Sequence, residues 1–457
     1  MSSASSRSSD AAASQPSRRA LAAERTWYDG RFQRDLAVII ADGRIEHVAA
    51  LHEIDPALPV EQFPRRLLLP GTINAHNHSF QSLLRGVADD CDFFTWRDRA
   101  LYGYTPRMTE EVIYHGARFA FAEMLRAGVT TVCDFFYIHS GSNQNDRAVI
   151  RAARDVGIRI ALARTMYDWN GAPPQYQETI DEAVGRTREL WQEYRGAPDV
   201  TVLPAPHSPH AASAEMIVAG SRLAEELGVR FHMHVAEGRY ERDQILKQSG
   251  KTPIRWLESL GVALDHATII HGCWLEDDDI RLMGERDVRL VYNPASNMFL
   301  GDGVTRIPDM LAAGVRIGLG SDGGCSNNRV SVFDEMRMCA LLQKLMALDS
   351  NVLPAETALA MGTAGSADTL DIPAGRIAPN HVADFTLIDM DDPSLQPPWR
   401  YEKNVVYAMT PQAIREVIVG GRSVLRDGEL LLTPWAEVLG GMLEATRDWP
   451  RDLDDPK

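Results

Sequence analysis

Strand-length apolar runs alternate with helix-length amphipathic stretches over residues 67–372, and this alternation restricts the fold more than any other feature of the chain. It is typical of repeated βα units, in which each strand of a parallel sheet is followed by a covering helix. Eight runs have the length and composition of such strands: Leu67–Asn74, Thr130–Phe136, Ile158–Arg164, Val200–Pro206, Val229–Val235, Ala267–His271, Val288–Asn293 and Val315–Gly320. Eight parallel strands predict an α/β protein built on a (β/α)8 TIM-type barrel.

Helix signals stand between several of these runs. Thr109 and Ser213 precede helical stretches that end at Gly128 and Gly228, as expected for N-cap and C-cap residues. Further helices are predicted at Asp146–Val156, Thr179–Tyr194 and Val330–Met346.

The segments on either side of the barrel predict one small β-sandwich built from both chain ends. Residues 24–66 supply its first part and residues 373–432 its second, because both contain β-rich or alternating runs with Asp-Gly or Gly-Gly turns. Residues 433–457 are expected to form a C-terminal helix and tail. Residues 1–23 are rich in Ser and Ala without an apolar signal-peptide core, which predicts a disordered leader.

The composition favours a small-molecule substrate. Among 457 residues, 63 acidic side chains outnumber 47 basic ones and give a formal charge of -16, which argues against nucleic-acid or membrane-surface partners. No apolar stretch is long enough to span a membrane. The 5 cysteines form no Cys-x-x-Cys pair, which favours a reducing, cytoplasmic location.

Side chains that can bind a metal stand at the ends of the predicted strands. His76 and His78 end the first strand, His234 the fifth and His271 the sixth, while Asp322 follows the eighth. The carboxyl ends of barrel strands share one mouth, and residues two apart on a strand point to the same side. Imidazoles with a carboxylate suit zinc or iron, so the chain is predicted to be a metalloenzyme.

Two histidines of the fifth strand, His232 and His234, compete for the role of ligand. We favour His234 because it lies nearer the strand end, whereas His232 is expected to fill the barrel interior. Glu237 follows three residues later, where a turn can bring its carboxylate over the metal. Since a divalent ion lowers the pKa of bound water to roughly 7, Glu237 is predicted to be the general acid and base.

The lysine pattern predicts a single ion. A second ion would need a bridging anionic ligand, which in related barrels can be a carbamylated lysine on the fourth strand. Between His78 and Asp322 the lysines are Lys247 and Lys251, both beyond the fifth strand. We therefore expect one divalent ion per subunit, Zn²⁺ in the first place with Fe²⁺ as the alternative.

The chain resembles the amidohydrolase superfamily, specifically its mononuclear aminohydrolase branch, over about residues 36–430. The motifs that carry the resemblance are PGTINAHNH at 70–78, APHSPH at 205–210, HVAE at 234–237, IHG at 270–272, YNPASNMFLGDG at 292–303 and GSDGGCSNN at 320–328. The resemblance implies a homodimer or homotetramer.

The resemblance also implies a role for each site residue. His76, His78, His234 and Asp322 would bind the metal, and Asp322 would also accept a proton from the attacking water. A hydroxide on the metal would attack the substrate with Glu237 as proton shuttle. His271 would orient the water or polarise the substrate, and His207 would face the substrate.

Subfamily signals disagree about the substrate. The NPASN, LGDG and SDGGCSNN segments are similar to methylthioadenosine/S-adenosylhomocysteine deaminases and s-triazine hydrolases, which favours a planar, amidine-like substrate. HSFQ at 78–81, FTWRD at 94–98 and DFFY at 134–137 instead resemble formimidoylglutamate deiminases. Those enzymes carry an arginine where this chain has Pro209-His210, so an amino-acid substrate is disfavoured. The roles of His210 and Cys325 stay open.

The predicted mouth is rich in aromatic side chains, which suit a flat or hydrophobic ligand. They are Phe93, Phe94, Trp96, Phe135, Phe136, Tyr137, Tyr167, Trp169 and Phe299. We assign substrate contacts to Gln81, Trp96, Tyr137, His207 and Asn297, with a loop-capping role as the alternative for Gln81.

These features predict hydrolysis of a non-peptide C–N bond, with deamination of a planar heterocyclic or amidine-like molecule as the first hypothesis. The alternative is cleavage of a urea, carbamate or thiocarbamate such as a phenylurea, since the same attack and tetrahedral intermediate serve both reactions. A non-catalytic barrel used in assembly is the remaining hypothesis, and the complete ligand set argues against it.

Overall fold

The computed structural model describes residues 17–450. Its strands, in chain order, are β1 (Arg18–Tyr28), β2 (Arg31–Gln33), β3 (Leu36–Ala41), β4 (Arg44–Ala50), β5 (Val60–Pro70), β6 (Thr72–Asn77), β7 (Val129–Phe136), β8 (Arg159–Met166), β9 (Val200–Pro206), β10 (Phe231–Val235), β11 (Ala267–His271), β12 (Arg289–Tyr292), β13 (Ile317–Leu319), β14 (Phe385–Asp389), β15 (Ile414–Val419), β16 (Arg422–Arg426) and β17 (Glu429–Leu430).

The α-helices of the same range are α1 (Phe93–Trp96), α2 (Glu110–Arg126), α3 (Gln144–Val156), α4 (Ile180–Tyr194), α5 (Ala214–Leu227), α6 (Arg239–Ser249), α7 (Pro253–Ser259), α8 (Asp277–Glu285), α9 (Pro294–Phe299), α10 (Ile307–Ala312), α11 (Val332–Ala347), α12 (Ala355–Ala360), α13 (Ser366–Leu370), α14 (Tyr401–Tyr407) and α15 (Trp435–Ala445).

Strands β6 to β13 are parallel and lie in two four-stranded sheets, ordered β6-β7-β8-β9 and β10-β11-β12-β13. The sheets meet at both edges. At one seam the His234 N–H donates to the His207 carbonyl at 3.0 Å. At the other, the Asp322 N–H donates to the His76 carbonyl at 3.0 Å. Ligand candidates therefore lie beside both seams, and the parallel βα architecture predicted from the alternation is confirmed.

The first predicted barrel strand was placed too early. Residues 67–70 belong to β5, which pairs with β1 and β14, and the barrel strand β6 begins only at Thr72. Gly71 separates the two strands and its N–H donates to the Asp384 carbonyl. A Cβ there would lie 2.2 Å from the Thr130 side chain, so only glycine fits this close passage between sheets.

Both chain ends contribute to one sheet, as predicted. This nine-stranded sheet has the order β17-β16-β15-β14-β5-β1-β3-β4, with β2 paired to β1. All of its strands are hydrogen-bonded neighbours in a single sheet, so the predicted sandwich of two layers stays a prediction. The helix expected in the C-terminal segment is α15, whereas residues 451–457 lie outside the described residues.

The N-terminal leader predicted over residues 1–23 overlaps the first strand of the structure. Strand β1 begins at Arg18, and Ala20 and Leu21 within it are fully buried. The first part of the end sheet therefore spans residues 18–70 rather than 24–66. Residues 1–16, to which the rest of the leader prediction applies, lie outside the described range.

The predicted helix ends are confirmed where capping residues mark them. The Thr109 side chain accepts a hydrogen bond from the Val112 N–H, and Ser213 accepts one from Met216. Gly228 ends α5 in the left-handed conformation, at φ +65°. Each polar cap stabilises its helix by about 1 kcal/mol, and together they fix where the chain returns to the next strand.

Candidate active site

Left-handed backbone conformations occur at the carboxyl ends of three barrel strands. Ala236 follows β10 at φ 55°, His271 ends β11 at φ 73°, and Asp322 follows β13 at φ 57°. Such conformations cost a non-glycine residue about 1–3 kcal/mol and persist only where surrounding contacts impose them. They turn the chain sharply at one end of the barrel and bring Glu237, His271 and Asp322 together.

Four of the predicted metal ligands converge at this end. Nε2 of His76 lies 3.4 Å and Nε2 of His78 lies 3.3 Å from Oδ1 of Asp322. Nε2 of His234 lies 3.2 Å from Nε2 of His76. Ligands about 2.1 Å from a tetrahedral metal ion are about 3.4 Å apart, so these separations match the edges of such a site.

Backbone carbonyls orient two of the rings. Nδ1 of His78 lies 2.6 Å from the Phe135 carbonyl, and Nδ1 of His234 lies 2.9 Å from the His207 carbonyl. A carbonyl can only accept, so both Nδ1 atoms carry the proton and both Nε2 atoms present a lone pair. This tautomer is the one that a metal ion requires.

Burial keeps the ligand imidazoles neutral. It lowers the pKa of His76 to about 3, and it lowers the pKa values of His78 and His234 as well. Burial alone would raise the pKa of Asp322, but the hydrogen-bond contact with His76 and the electrostatic interaction with the surrounding histidine rings hold it well below its ordinary value. Three neutral imidazoles and one carboxylate are a suitable ligand set for zinc or ferrous iron.

Two serine hydroxyl groups bind one oxygen of the Asp322 carboxylate. Its Oδ2 accepts hydrogen bonds from Ser296 at 2.6 Å and from Ser326 at 3.0 Å. Its other oxygen, Oδ1, faces His76 and His78. Because both serine hydroxyls bind Oδ2, Oδ1 remains available to an ion or to a reacting water.

Glu237 and His271 form the acid–base part of the site. Oε1 of Glu237 lies 3.5 Å from Nε2 of His271. Burial raises the pKa of Glu237 well above its ordinary value, and the carboxylates of Asp302, Asp322 and Glu241 raise it further. Glu237 is therefore suited to carry a proton at neutral pH, which is what a general acid needs.

Asn297 holds His271 rather than facing the substrate cavity, which corrects its predicted role. Its Nδ2 donates to Nδ1 of His271 at 2.9 Å and to Oδ2 of Asp302 at 3.2 Å. Nδ1 of His271 thus accepts, so the proton of the neutral ring is on Nε2. This buried Nε2 has no hydrogen-bond partner among the described residues and points a donor toward the reaction site.

A cavity of about 260 Å³ opens beside these groups. His78, His234, Glu237, His271 and Asp322 line its inner end. Its remaining wall is mostly aromatic, formed by Phe93, Phe94, Trp96, Tyr102, Tyr137, Tyr167, Trp169, Tyr176 and Tyr240. The volume and the apolar wall fit a small, flat organic molecule.

Four of the five predicted substrate contacts, Gln81, Trp96, Tyr137 and His207, line this cavity. Gln81 lies in a 3₁₀ segment after β6, where its Nε2 donates to the Tyr137 hydroxyl at 3.1 Å and its Oε1 accepts from Cys325 at 3.3 Å. The Trp96 indole N–H donates to the Cys325 carbonyl at 2.8 Å, so its ring is the part that a ligand can meet.

Three of the aromatic residues expected at the mouth are not among the lining residues. The Phe135 ring instead lies 4.4 Å from the His234 ring and supports that ligand. Phe136 is buried in the core, and Phe299 is exposed. His232 fills the barrel interior, as predicted, with its Nδ1 3.9 Å from the Cys133 sulfur.

Several wall residues were not predicted from the sequence. They are Arg97, Leu101, Tyr102, Tyr176, His210, Tyr240 and Gln244. Tyr240 and Gln244 are four residues apart at the start of α6, so they share one helix face just after the HVAE segment. This four-residue spacing was the sequence signal that could have predicted both residues. Tyr102 and Tyr176 come from long connections, whose path no periodicity reveals.

Two further observations concern the described residues as a whole. The cysteines Cys91, Cys133, Cys273, Cys325 and Cys339 are all free thiols. Within residues 17–450, no helix combines the length and the apolar character that crossing a bilayer would require.

Comparison with known proteins gives a family match and close relatives. Residues 67–424 match the amidohydrolase family. A 5-methylthioadenosine/S-adenosylhomocysteine deaminase of Syntrophobacter fumaroxidans is 33% identical over 375 residues, which cover 82% of this chain and 83% of that protein. A 5'-deoxyadenosine deaminase of Methanothermobacter thermautotrophicus is 33% identical over 398 residues, covering 86% and 90%.

Solved structures share the fold. An adenosine deaminase of Xanthomonas campestris with bound zinc aligns with a TM-score of 0.87 at 27% identity, covering 94% of this chain and 97% of that chain. The zinc complex of an atrazine chlorohydrolase of Arthrobacter aurescens also gives a TM-score of 0.87, at 22% identity over 93% and 99% of the two chains.

Proposed function

Because the chain belongs to the amidohydrolase family, we propose that it is a mononuclear metal-dependent aminohydrolase that deaminates a planar, amino-substituted heterocycle. The observation that carries the proposal is the position of Glu237, 3.5 Å from His271 and beside four ligand side chains that lie 3.2 to 3.4 Å apart. Burial raises the pKa of Glu237, which favours its role as a proton donor. The relatives named as adenosine-type deaminases support the same reaction class.

The ion would be held by His76, His78, His234 and Asp322. The fit rests on the Nε2 lone pairs of His78 and His234, on ligand separations of 3.2 to 3.4 Å and on the ionised state of Asp322. A divalent ion at this place supplies a nucleophile by making water acidic near neutral pH. We propose one ion per subunit, zinc first and ferrous iron as the alternative.

The side chains divide the proton transfers between them. Asp322 is ionised and accepts a proton from the attacking water through Oδ1. The Nε2–H of His271 donates to the substrate and orients it. Glu237 gives its proton to the departing amino group, which leaves as ammonia while a carbonyl forms at the attacked carbon. The hydroxyl proton left on the attacked carbon moves to the neighbouring ring nitrogen as the carbonyl forms, and the proton that Asp322 accepted returns to Glu237 before the next turnover.

The substrate we propose is of the adenosine type or another flat amino-heterocycle. The aromatic wall of the cavity offers stacking surfaces, and its volume of about 260 Å³ suits one small molecule. The apolar character of this wall also favours a second candidate function, cleavage of a phenylurea, carbamate or thiocarbamate. A non-catalytic role is disfavoured because all four ligands and Glu237 converge.

The deciding experiment is a product screen of zinc- or iron-loaded protein on 5'-methylthioadenosine, 5'-deoxyadenosine, melamine, N-formimino compounds, a phenylurea and a thiocarbamate. Mass spectrometry identifies the product and a coupled assay measures ammonia. Ammonia with a product about 1 Da heavier, the NH₂-to-OH exchange, supports deamination. Release of an amine or thiol without ammonia would instead support the second candidate function.

Four further proposals concern the whole protein. We propose that the two four-stranded sheets form a closed (β/α)8 barrel and that the end sheet folds as a sandwich. We also propose that the enzyme acts on small molecules in the cytoplasm and assembles as a homodimer or homotetramer. Sedimentation velocity of the purified protein tests the assembly, and a monomeric mass would contradict it.

A further inference from the structure

We propose that His210 is a specificity-determining residue whose Nε2 accepts a hydrogen bond from an N–H or O–H group of the substrate. Glu241 acts through His210 as a positioning residue, because its carboxylate fixes the proton of His210 on the other ring nitrogen, Nδ1. The identity of the ligand rests on the proposed function, whereas the geometry of the pair does not.

The two residues come from different elements and meet beside the cavity. His210 follows β9, and its ring lines the cavity wall. Glu241 lies in the first turn of α6 and is only 1% exposed. Oε2 of Glu241 lies 2.7 Å from Nδ1 of His210. A buried carboxylate in such close contact fixes both the position and the tautomer of the ring.

The other oxygen of Glu241 is also engaged. Oε1 accepts a hydrogen bond from the Ala236 N–H at 2.5 Å. With both oxygens bound, the carboxylate cannot rotate away from His210. Because Glu241 accepts hydrogen bonds at both oxygens, Nδ1 of His210 carries a proton, and in the neutral form of the ring Nε2 then presents a lone pair.

Nε2 of His210 is available to a ligand. None of the groups in the described part of the chain forms a hydrogen bond with it. The ring centroids of Tyr240 and His207 lie 5.7 and 5.9 Å from the centroid of the His210 ring. Two other polar groups of the wall, Gln81 and the Trp96 indole, are already occupied. Gln81 bonds to Tyr137 and Cys325, and the Trp96 indole N–H bonds to a carbonyl.

The arrangement selects a class of substrate. Arg97 is the basic side chain of the wall, and it is paired with Asp98 at 2.7 Å. The acidic wall residues, Glu237 and Asp322, belong to the reaction centre. A neutral, flat molecule that presents an N–H or O–H donor on the edge away from the ion therefore fits, and its fully N-methylated counterpart does not.

Glu241→Gln gives an isosteric test. The glutamine carbonyl can still accept the Ala236 N–H, but its amide group now donates to Nδ1 of His210. The ring proton then moves to Nε2, which changes from acceptor to donor while the cavity keeps its shape. His210→Phe and His210→Asn remove the acceptor by two different routes.

Binding is measured by quenching of Trp96 and Trp169 fluorescence in the zinc-loaded Glu237→Gln background, where turnover does not consume the ligand. The probes are 5'-methylthioadenosine, melamine, phenylurea and the donor-free hexamethylmelamine. We expect Glu241→Gln and His210→Phe each to weaken binding of at least one donor probe by about five- to tenfold, the effect of one hydrogen bond.

The double variant should bind no more weakly than His210→Phe alone, because Glu241 acts through His210. Hexamethylmelamine binding and zinc content should not change, and exposed Glu225→Gln should leave all values unchanged. Equal losses for donor and donor-free probes, additive losses, or no preference of the parent protein for donors would overturn the inference. A negative product screen with these binding results would overturn only the proposed reaction.

Discussion

Replacing Glu237 with glutamine tests the acid–base assignment most directly. The Glu237 side chain is 9% exposed and its Oε1 lies 3.5 Å from Nε2 of His271. Burial first, and the carboxylates of Asp302, Asp322 and Glu241 after it, raise its pKa well above the ordinary value. The raised pKa favours the protonated form of Glu237, which can give its proton to a leaving group, whereas an amide of the same shape has none to give.

The expected loss follows from that single function. Proton transfer by a positioned side chain contributes about 10²- to 10⁴-fold to a rate, which corresponds to about 3–5 kcal/mol of activation free energy. Glu237→Gln should lower kcat by that factor with the proposed substrate. Zinc content should stay at the parent value, because the proposed ligands are His76, His78, His234 and Asp322. The assays are coupled ammonia release and metal analysis by mass spectrometry.

Exposed Glu225→Gln on α5 provides the matched control and should leave both readouts unchanged. A Glu237→Gln protein with full zinc and kcat within tenfold of the parent would refute the reasoning. Loss of zinc together with activity would instead make Glu237 a ligand, which the separations around His76 do not require.

Three further predictions address the ligands and the buried charges. His234→Ala should lose zinc and activity, whereas His381→Asn, far from the site, should keep both in metal analysis and ammonia assays. Arg164→Met should reduce the free energy of unfolding, measured by urea denaturation, by about 3–5 kcal/mol, because it leaves buried Glu178 without two 2.8 Å hydrogen bonds. As a control, Arg188→Gln breaks the more exposed pair with Glu226 and should cost under about 1 kcal/mol. Burial would raise the pKa of Glu178, but Arg164 and its neighbours bring it to about 2 from 4.5, so its stabilisation is complete above about pH 5 and lost toward pH 2. Glu178→Gln should therefore flatten that part of the urea stability profile by about 3 kcal/mol, and parallel profiles would contradict this.

The barrel strands could be predicted because their apolar runs are short and punctuated. Strands β9 and β11 begin and end where the sequence placed them, and β7 differs by one residue. In each case, polar or turn residues stand on both sides of the run. The metal ligands followed from the same pattern, since the carboxyl ends of parallel strands lie together whatever the details of the loops.

The run from Leu67 to Asn74 serves the end sheet up to Pro70 and the barrel from Thr72. The Pro70-Gly71 pair stands at the division and was the available signal, because this dipeptide marks a turn. The hydrogen bonds of β5 with β1 and β14 show that the two parts belong to different sheets. Strand β1 was missed because its alanines give only a weak strand signal, although Ala20 is fully buried.

The sequence could not show which residues of the site motifs line the cavity and which support a neighbouring side chain. Asn297 and His210 both stand in motifs that pointed to the substrate, but only His210 lines the cavity. Asn297 turns toward Nδ1 of His271 because α9 begins immediately after β12 and places it behind that ring. Which side of a ligand such a residue occupies depends on the path of a loop, which residue spacing does not encode.

The three left-handed strand ends connect the stability of the fold to its chemistry. Each would cost about 1–3 kcal/mol in isolation, and each is held by a hydrogen bond at the same turn. The Ala236 N–H donates to Glu241, the Asp322 N–H donates to the His76 carbonyl, and the His271 carbonyl accepts from Thr305 at 2.6 Å. Two of these three bonds involve residues assigned to metal or substrate binding. The contacts that offset the strain therefore also set the positions of the reacting groups, so a substitution at these turns should change ligand binding and stability together.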